Sequence, residues 1–237
     1  MNGTIIAQVS GVAVHGALHY RVQTLTGGDM RRLIAIVAAS AAMAAPAGAQ
    51  AQDRMPPIPV EKLTDAQRRA IDEFKAARGA EISGPFIPLL RSPEVMTRAR
   101  AMGDYLRFKS SLPPRLSEFV ILLTARQWTQ QYEWNAHQGL ALQGGLKADI
   151  VKAVAEGRRP EAMAADEQAL YALVDEVHRN RSVSDATYAA ARTAVGEQGV
   201  IDVLGIVGYY TMLSIVMNTA RTPLPAGATP ALAPFPR

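Results

Sequence analysis

Between residues 115 and 145, RLSEFVILLTARQWTQQYEWNAHQGLALQGG, a largely apolar helical pattern is interrupted by Glu118, Glu133 and His137. Glu133 and His137 are four apart, so on a helix they share a face with about 5–6 Å between Cβ atoms. That is hydrogen-bonding reach for a carboxylate and an imidazole. Glu118 precedes the run Phe119, Val120, Ile121, Leu122, Leu123, where a charge is costly without a partner, and a carboxylate buried there is expected to seek the imidazole.

An imidazole titrates near working pH, and a neighbouring carboxylate fixes its tautomer or raises its basicity. A carboxyl in an apolar pocket is shifted upward and becomes a proton donor. His137 is therefore the expected general base, Glu133 its orienting or proton-shuttling partner, and Glu118 a second acid. Such a set moves protons on and off carbon or oxygen without a cofactor, as decarboxylation, isomerisation and retro-aldol cleavage require. The plainer alternative is a surface i,i+4 pair contributing a few tenths of a kcal/mol.

The residues around this set each carry two readings. Arg115 pairs either with Glu118 three residues on or with a substrate anion. Gln130 donates to a developing oxyanion or caps a helix. Trp128, Tyr132 and Trp134 line a pocket for a flat ring or belong to the core. Tyr209 and Tyr210 close the pocket or a subunit interface. His178, near a helix end, is expected to be solvated and to interact with the last carbonyls. Glu118, Glu133 and His137 would supply three metal ligands, but no second histidine stands at ligand spacing, and no metal site is expected.

Glu118, followed by Tyr-Glu-Trp-Asn-Ala-His at 132–137 and Gly-Gly-Leu at 144–146, resembles the carboxymuconolactone decarboxylase family, whose wider superfamily includes the alkylhydroperoxidase AhpD. The resemblance spans roughly residues 80–220 and is dense in 115–150. AhpD-like members carry Cys-x-x-Cys-x-x-x-His on this helix and a glutamate on the preceding one, serving a proton relay. Here Gln130 and Glu133 occupy the cysteine positions, while His137 and Glu118 are kept. The resemblance implies an all-α AhpD-like helical bundle, assembled as a symmetric homo-oligomer (dimer, trimer or hexamer), with the dithiol chemistry removed and the acid–base groups retained.

The elements that must position these groups follow from pattern. Thr64 caps a helix over 65–78 closed by Gly79, and Gly84–Pro88 reads as an apolar loop. Ser92 and Pro93 open a helix to about Phe108. Pro113-Pro114 precedes a helix over 115–128 that is apolar nearly all round and so the most buried. Thr129 is the candidate cap for a helix over 131–143. Further helices are expected over 147–156, 165–179, 185–195 (capped by Ser184) and 199–220. The last is as long as a membrane span, but Asp202, its interior glycines and Asn218 mark it as a core or packing helix.

Composition is that of one globular domain, 49% hydrophobic and 19% charged, with Ala and Leu favouring helices. Cysteine is absent, which excludes disulfides, thiolate nucleophiles, zinc-thiolate sites and iron-sulfur clusters. Arg21, Arg31 and Arg32 against Asp29 supply half of the +4 net charge. There is no basic stripe interleaved with aromatics, so no nucleic-acid partner is expected.

Residues 30–51 combine two arginines, an apolar run from Leu33 to about Ala45 and small residues at Ala47-Gly48-Ala49, the pattern of a secretory signal peptide cleaved after Ala49 or Ala51. Residues 1–29 then read as a segment upstream of a true start at Met30, with neither helical nor strand period. Residues 52–62 form a Pro-rich tether, 63–221 the helical domain and 222–237 an extended arm. After cleavage no membrane span remains.

The expected function is a periplasmic, cofactor-independent carbon–carbon lyase of the carboxymuconolactone decarboxylase type, acting on a small aromatic-derived acid, lactone or lignin-type compound. The alternatives are a non-catalytic small-molecule binding or assembly protein and, disfavoured by the lack of cysteine, a peroxide-reducing enzyme.

Overall fold

The computed structural model describes residues 12–14, 17–19 and 52–233, and divides the chain into two compact units, 1–51 and 52–237. In the first unit, β1 (Val12–Val14) pairs antiparallel with β2 (Ala17–His19), Ala13 facing Leu18. No strand was expected there; three residues are too few for alternation to register. The proposed signal peptide lies outside the described residues.

The second unit is helical. Helix α1 (Asp65–Arg78) starts at a capping box in which the Thr64 hydroxyl accepts from the Gln67 N–H and the Gln67 side chain from the Thr64 N–H, and stops at Gly79 with φ 63°. The expected loop at 84–88 instead ends in one helical turn, α2 (Phe86–Leu89). Pro88 is tolerated because a first turn leaves its N–H positions unused. Helix α3 (Pro93–Phe108) opens on Pro93.

Helix α4 (Pro114–Gln127) buries ten residues. Leu116, Val120 and Ile121 face one apolar cluster with α1, α2, α3 and the last helices, and Phe119 and Leu122 face a second with Trp134, Leu146, Ile150, Val154 and Met163. Being apolar all round, α4 joins two cores.

At the turn after α4 the capping reading of Gln130 holds and the Thr129 candidate does not. Thr129 lies at φ 46°, and the cap of α5 (Gln131–Gln143) is Gln130, whose side-chain oxygen accepts from the Tyr132 N–H at 2.7 Å. Next come α6 (Ala148–Ala155), α7 (Ala165–Asn180) and α8 (Asp185–Ala220). Helix α8 is broken at Gly196, where φ 72° and ψ 173° fall in a region open essentially to glycine, so it is in effect the expected pair of helices. It is the one helix among the described residues long and apolar enough to cross a membrane, but Val203, Ile206, Tyr210, Leu213 and Met217 are buried in the first core. Its Asp202 accepts from the Tyr105 hydroxyl and from the N–H and hydroxyl of Ser111.

The arm after α8 returns to the body. Leu232 is buried in the second core, and the Gln131 amide accepts from the N–H groups of Ala231 and Leu232 and donates to the Leu232 carbonyl.

Candidate functional site

Glu118, at the start of α4, and Glu133 and His137, on the first two turns of α5, are brought together as their spacing predicts. The antiparallel packing of α4 on α5 closes the 19-residue separation between Glu118 and His137, leaving Glu118 Oε2 2.6 Å from His137 Nδ1. Since a carboxylate only accepts, Nδ1 carries a hydrogen. Glu133 Oε2 lies 3.5 Å from Nε2, on the other side of the ring. The orienting contact thus comes from Glu118, and Glu133 faces the nitrogen left for chemistry.

A fourth member joins from α8. The Tyr210 hydroxyl lies 3.2 Å from His137 Nε2, and the two rings meet edge to face with centroids 5.1 Å apart. Tyr209 packs edge-on against Tyr210 at 5.2 Å, and its hydroxyl occupies the space a side chain at Gly103 of α3 would need. Sequence reasoning left Tyr210 between pocket and interface. Its signal was register: it falls on the face of Val203, Ile206, Leu213 and Met217, which points into the core.

The cluster is dry. His137 is 3% exposed, Glu133 4% and Glu118 8%. Burial is the largest influence on the imidazole and pulls its pKa down, but the hydrogen bonds and charges of Glu118 and Glu133 together outweigh it and hold the group above its ordinary value. Burial, reinforced by the Glu133 charge, pushes the Tyr210 phenol well up, and burial takes Tyr209 to about 12. Tyr210 thus stays protonated and donates to Nε2 whenever that nitrogen is bare. Glu133 Oε1 is buried with no hydrogen-bond partner, an unusual state for a carboxylate oxygen.

The surrounding residues resolve toward structural contacts. Arg115 does not pair with Glu118: its guanidinium forks onto Asp166 (2.5 Å) and buried Glu167, tying α4 to α7. That arrangement raises the arginine's pKa, with the Asp166 hydrogen bond as its first cause, and lowers that of Asp166. Gln130, besides capping α5, donates to Asn218 at 2.8 Å, so its amide is committed. Trp128 donates to Thr211, and Trp134, 1% exposed, to Gln138 within the second core. Tyr132 packs against Gly84 and the first core.

His178 is a correction. It is half-buried and its Nε2 is buried without a partner; burial lowers its pKa. It lines a cleft of about 210 Å³ with Leu123, Arg126, Val154, Tyr171 and Arg158, separate from the His137 cluster. Packing of α7 on α4 covers a ring that its place near a charged helix end had marked as solvated. Among the described residues no group of three histidine or acidic side chains is arranged to hold a metal ion.

No protein-family model matches the chain, and no curated protein matches it. Solved structures do. An uncharacterized peroxidase-related protein from Ralstonia eutropha JMP134, described as an alkylhydroperoxidase AhpD core, superposes with a TM-score of 0.61 at 19% identity, over 73% of this chain and 92% of that one. A second uncharacterized peroxidase-related protein, from Silicibacter sp. TM1040, gives 0.60 at 14% identity, over 76% and 96%. Identities this low establish a shared fold.

Proposed function

Given that this chain has the all-α fold of the AhpD-like proteins, we propose that it is a cofactor-independent acid–base enzyme, a carbon–carbon lyase in which His137 carries the proton. Glu118 orients the imidazole through Nδ1, Glu133 exchanges protons at the Nε2 side, and Tyr210 donates to Nε2 when it is bare. The peroxidase-related names of the structural neighbours belong to those proteins; a chain without cysteine has no thiol with which to reduce a peroxide.

The observation that carries the reading is a buried imidazole flanked by two carboxylates, at 2.6 and 3.5 Å, inside an apolar bundle. A surface pair would lie in water and would not need a second acid from another helix. Acid–base groups placed this way contribute roughly 10²–10⁴-fold to a proton-transfer step. The expected substrates are small aromatic-derived or lactone compounds, met in the periplasm by a protein exported through the signal pattern at residues 30–51, and the working form is a homo-oligomer.

The near-complete burial of the cluster favours one competing reading, a non-catalytic binding or assembly protein using the network to fix its core. Both are tested by screening lactones and aromatic compounds for release of carbon dioxide or formaldehyde by the wild type, Glu133→Gln and His137→Ala. The lyase reading expects turnover that collapses in both variants; equal processing by all three proteins, or none by the wild type, overturns it.

A further inference from the structure

The candidate site is an acidic one. Glu118 and Glu133 both face His137, and among the described residues no lysine or arginine forms an ion pair or hydrogen bond with either. Arg115, the cation that sequence reasoning offered as an anion clamp, is held by Asp166 and Glu167. The cations whose charge reaches the tyrosines beside the cluster are Arg78 and Arg107, and Arg78 is itself bound to Asp104 at 2.9 Å. Two carboxylates against one imidazolium leave an excess negative charge in a dry environment, where like charges repel far more than in water. Arg107, stacked over the Phe108 ring, acts on this cluster only through its charge at a distance, so a free carboxylate entering beside Glu133 meets repulsion that no direct cation contact offsets.

Glu133 is 4% exposed and its Oε1 has no partner. An ionised carboxylate oxygen only accepts, so the group that satisfies it must donate. A hydroxyl does this and adds no charge.

We propose that the site takes a neutral, hydroxyl-bearing substrate, of the β-hydroxy carbonyl class, whose O–H donates to Glu133 Oε1, and that it discriminates against free carboxylates. This rests on the lyase reading above and narrows its substrate class. The reaction balances on the groups present. Glu133 takes the hydroxyl proton, and the O–H electron pair becomes the new C=O bond as the adjacent carbon–carbon bond breaks. The electrons of that bond form an enolate on the other fragment, stabilised by its carbonyl. The His137 imidazolium protonates the enolate carbon, and once the Glu133 carboxyl has turned about its Cγ–Cδ bond, exchanging its two oxygens, the proton it took passes to Nε2 from the position 3.5 Å away, restoring the starting state.

Binding is the test, because it is read apart from turnover. The full chain, ring-¹⁵N-labelled at histidine, is titrated with 4-hydroxy-2-butanone, which is neutral, and with 3-hydroxybutyrate, an anion of similar size. His137 is assigned by the resonance lost in His137→Asn. The neutral probe is expected to shift the His137 signal saturably and the anion to bind at least about 10-fold more weakly. In Glu133→Gln, which removes one negative charge, that preference should shrink or reverse. Equal or tighter binding of the anion by the wild type overturns the proposal, as does no shift with either probe or an unchanged preference in a folded Glu133→Gln. A preference for the neutral probe without any lyase activity would leave the binding inference standing and sink the lyase reading alone.

Discussion

Glu118 and His137 stand on adjacent helices, and the carboxylate of one lies 2.6 Å from Nδ1 of the other with both side chains buried. That contact holds the imidazole plane and directs Nε2 toward Glu133 and Tyr210. Replacing Glu118 by Gln keeps the shape and removes the charge. His137 should then titrate lower, since a group raising its pKa is lost, and turnover should fall by roughly 10²-fold or more. Ring ¹⁵N titration and a pH–rate profile check this; an unmoved His137 pKa would mean that Glu118 does not set it.

The same raised pKa bears on stability. A histidine that binds its proton more tightly folded than unfolded contributes stability fully present below the unfolded value, about 6.5, and lost as pH rises through the higher folded value. Urea midpoints should therefore decline from pH 6 toward the alkaline side, with a shallower decline in Glu118→Gln. A wild-type midpoint that climbs over this range would contradict the assignment.

Tyr210→Phe should act in the opposite sense to Glu118→Gln on the imidazole. The phenol donates to the neutral ring at 3.2 Å, so its loss removes support for the deprotonated form and His137 should titrate higher. The loss of one buried hydrogen bond should cost about 1 kcal/mol of stability. Opposed shifts in the two variants, read by the same titration, are the signature expected.

Arg115→Met is expected to lower stability by about 3 kcal/mol, because it leaves Glu167, 3% exposed, without its charged partner. Thermal unfolding measures it. A weaker apparent affinity for substrate at unchanged stability would instead restore Arg115 as an anion clamp.

Gly103→Ala tests the support behind Tyr210. An added Cβ would lie 2.3 Å from the Tyr209 hydroxyl, so α3 and α8 must move apart or the ring must turn, at a cost of about 1–3 kcal/mol. Because Tyr209 packs on Tyr210, turnover should drop further than this loss of stability explains.

The helices were legible because caps, breaks and apolar faces reported them locally: the Thr64 cap, Gly79, Pro93 and Ser184 each mark a boundary by backbone chemistry, and the expected break between 195 and 199 contains the Gly196 kink. The convergence of Glu118 with His137 was legible from a charge set in an apolar run. What escaped were contacts between elements distant in sequence. Arg115 meets Asp166 and Glu167 some fifty residues away, nothing near Tyr210 announces His137, and burial of His178 depends on how α7 lies across α4. The cap of α5 was legible in part: capping was one of the two readings of Gln130, while Thr129, the commoner cap type, takes the left-handed turn before it.

The return of the arm to Gln131 has a consequence for handling the protein. Leu232 plugs the second core beside Met163 and Trp134, and that end of the arm is tied in by the Gln131 amide and by Arg126, which donates to the Ala233 carbonyl at 2.9 Å. A proteolytic nick between Thr222 and Ala231 would spare every helix yet let that plug escape, uncovering a greasy surface. Samples clipped there would clump on concentration while their circular dichroism still looked native.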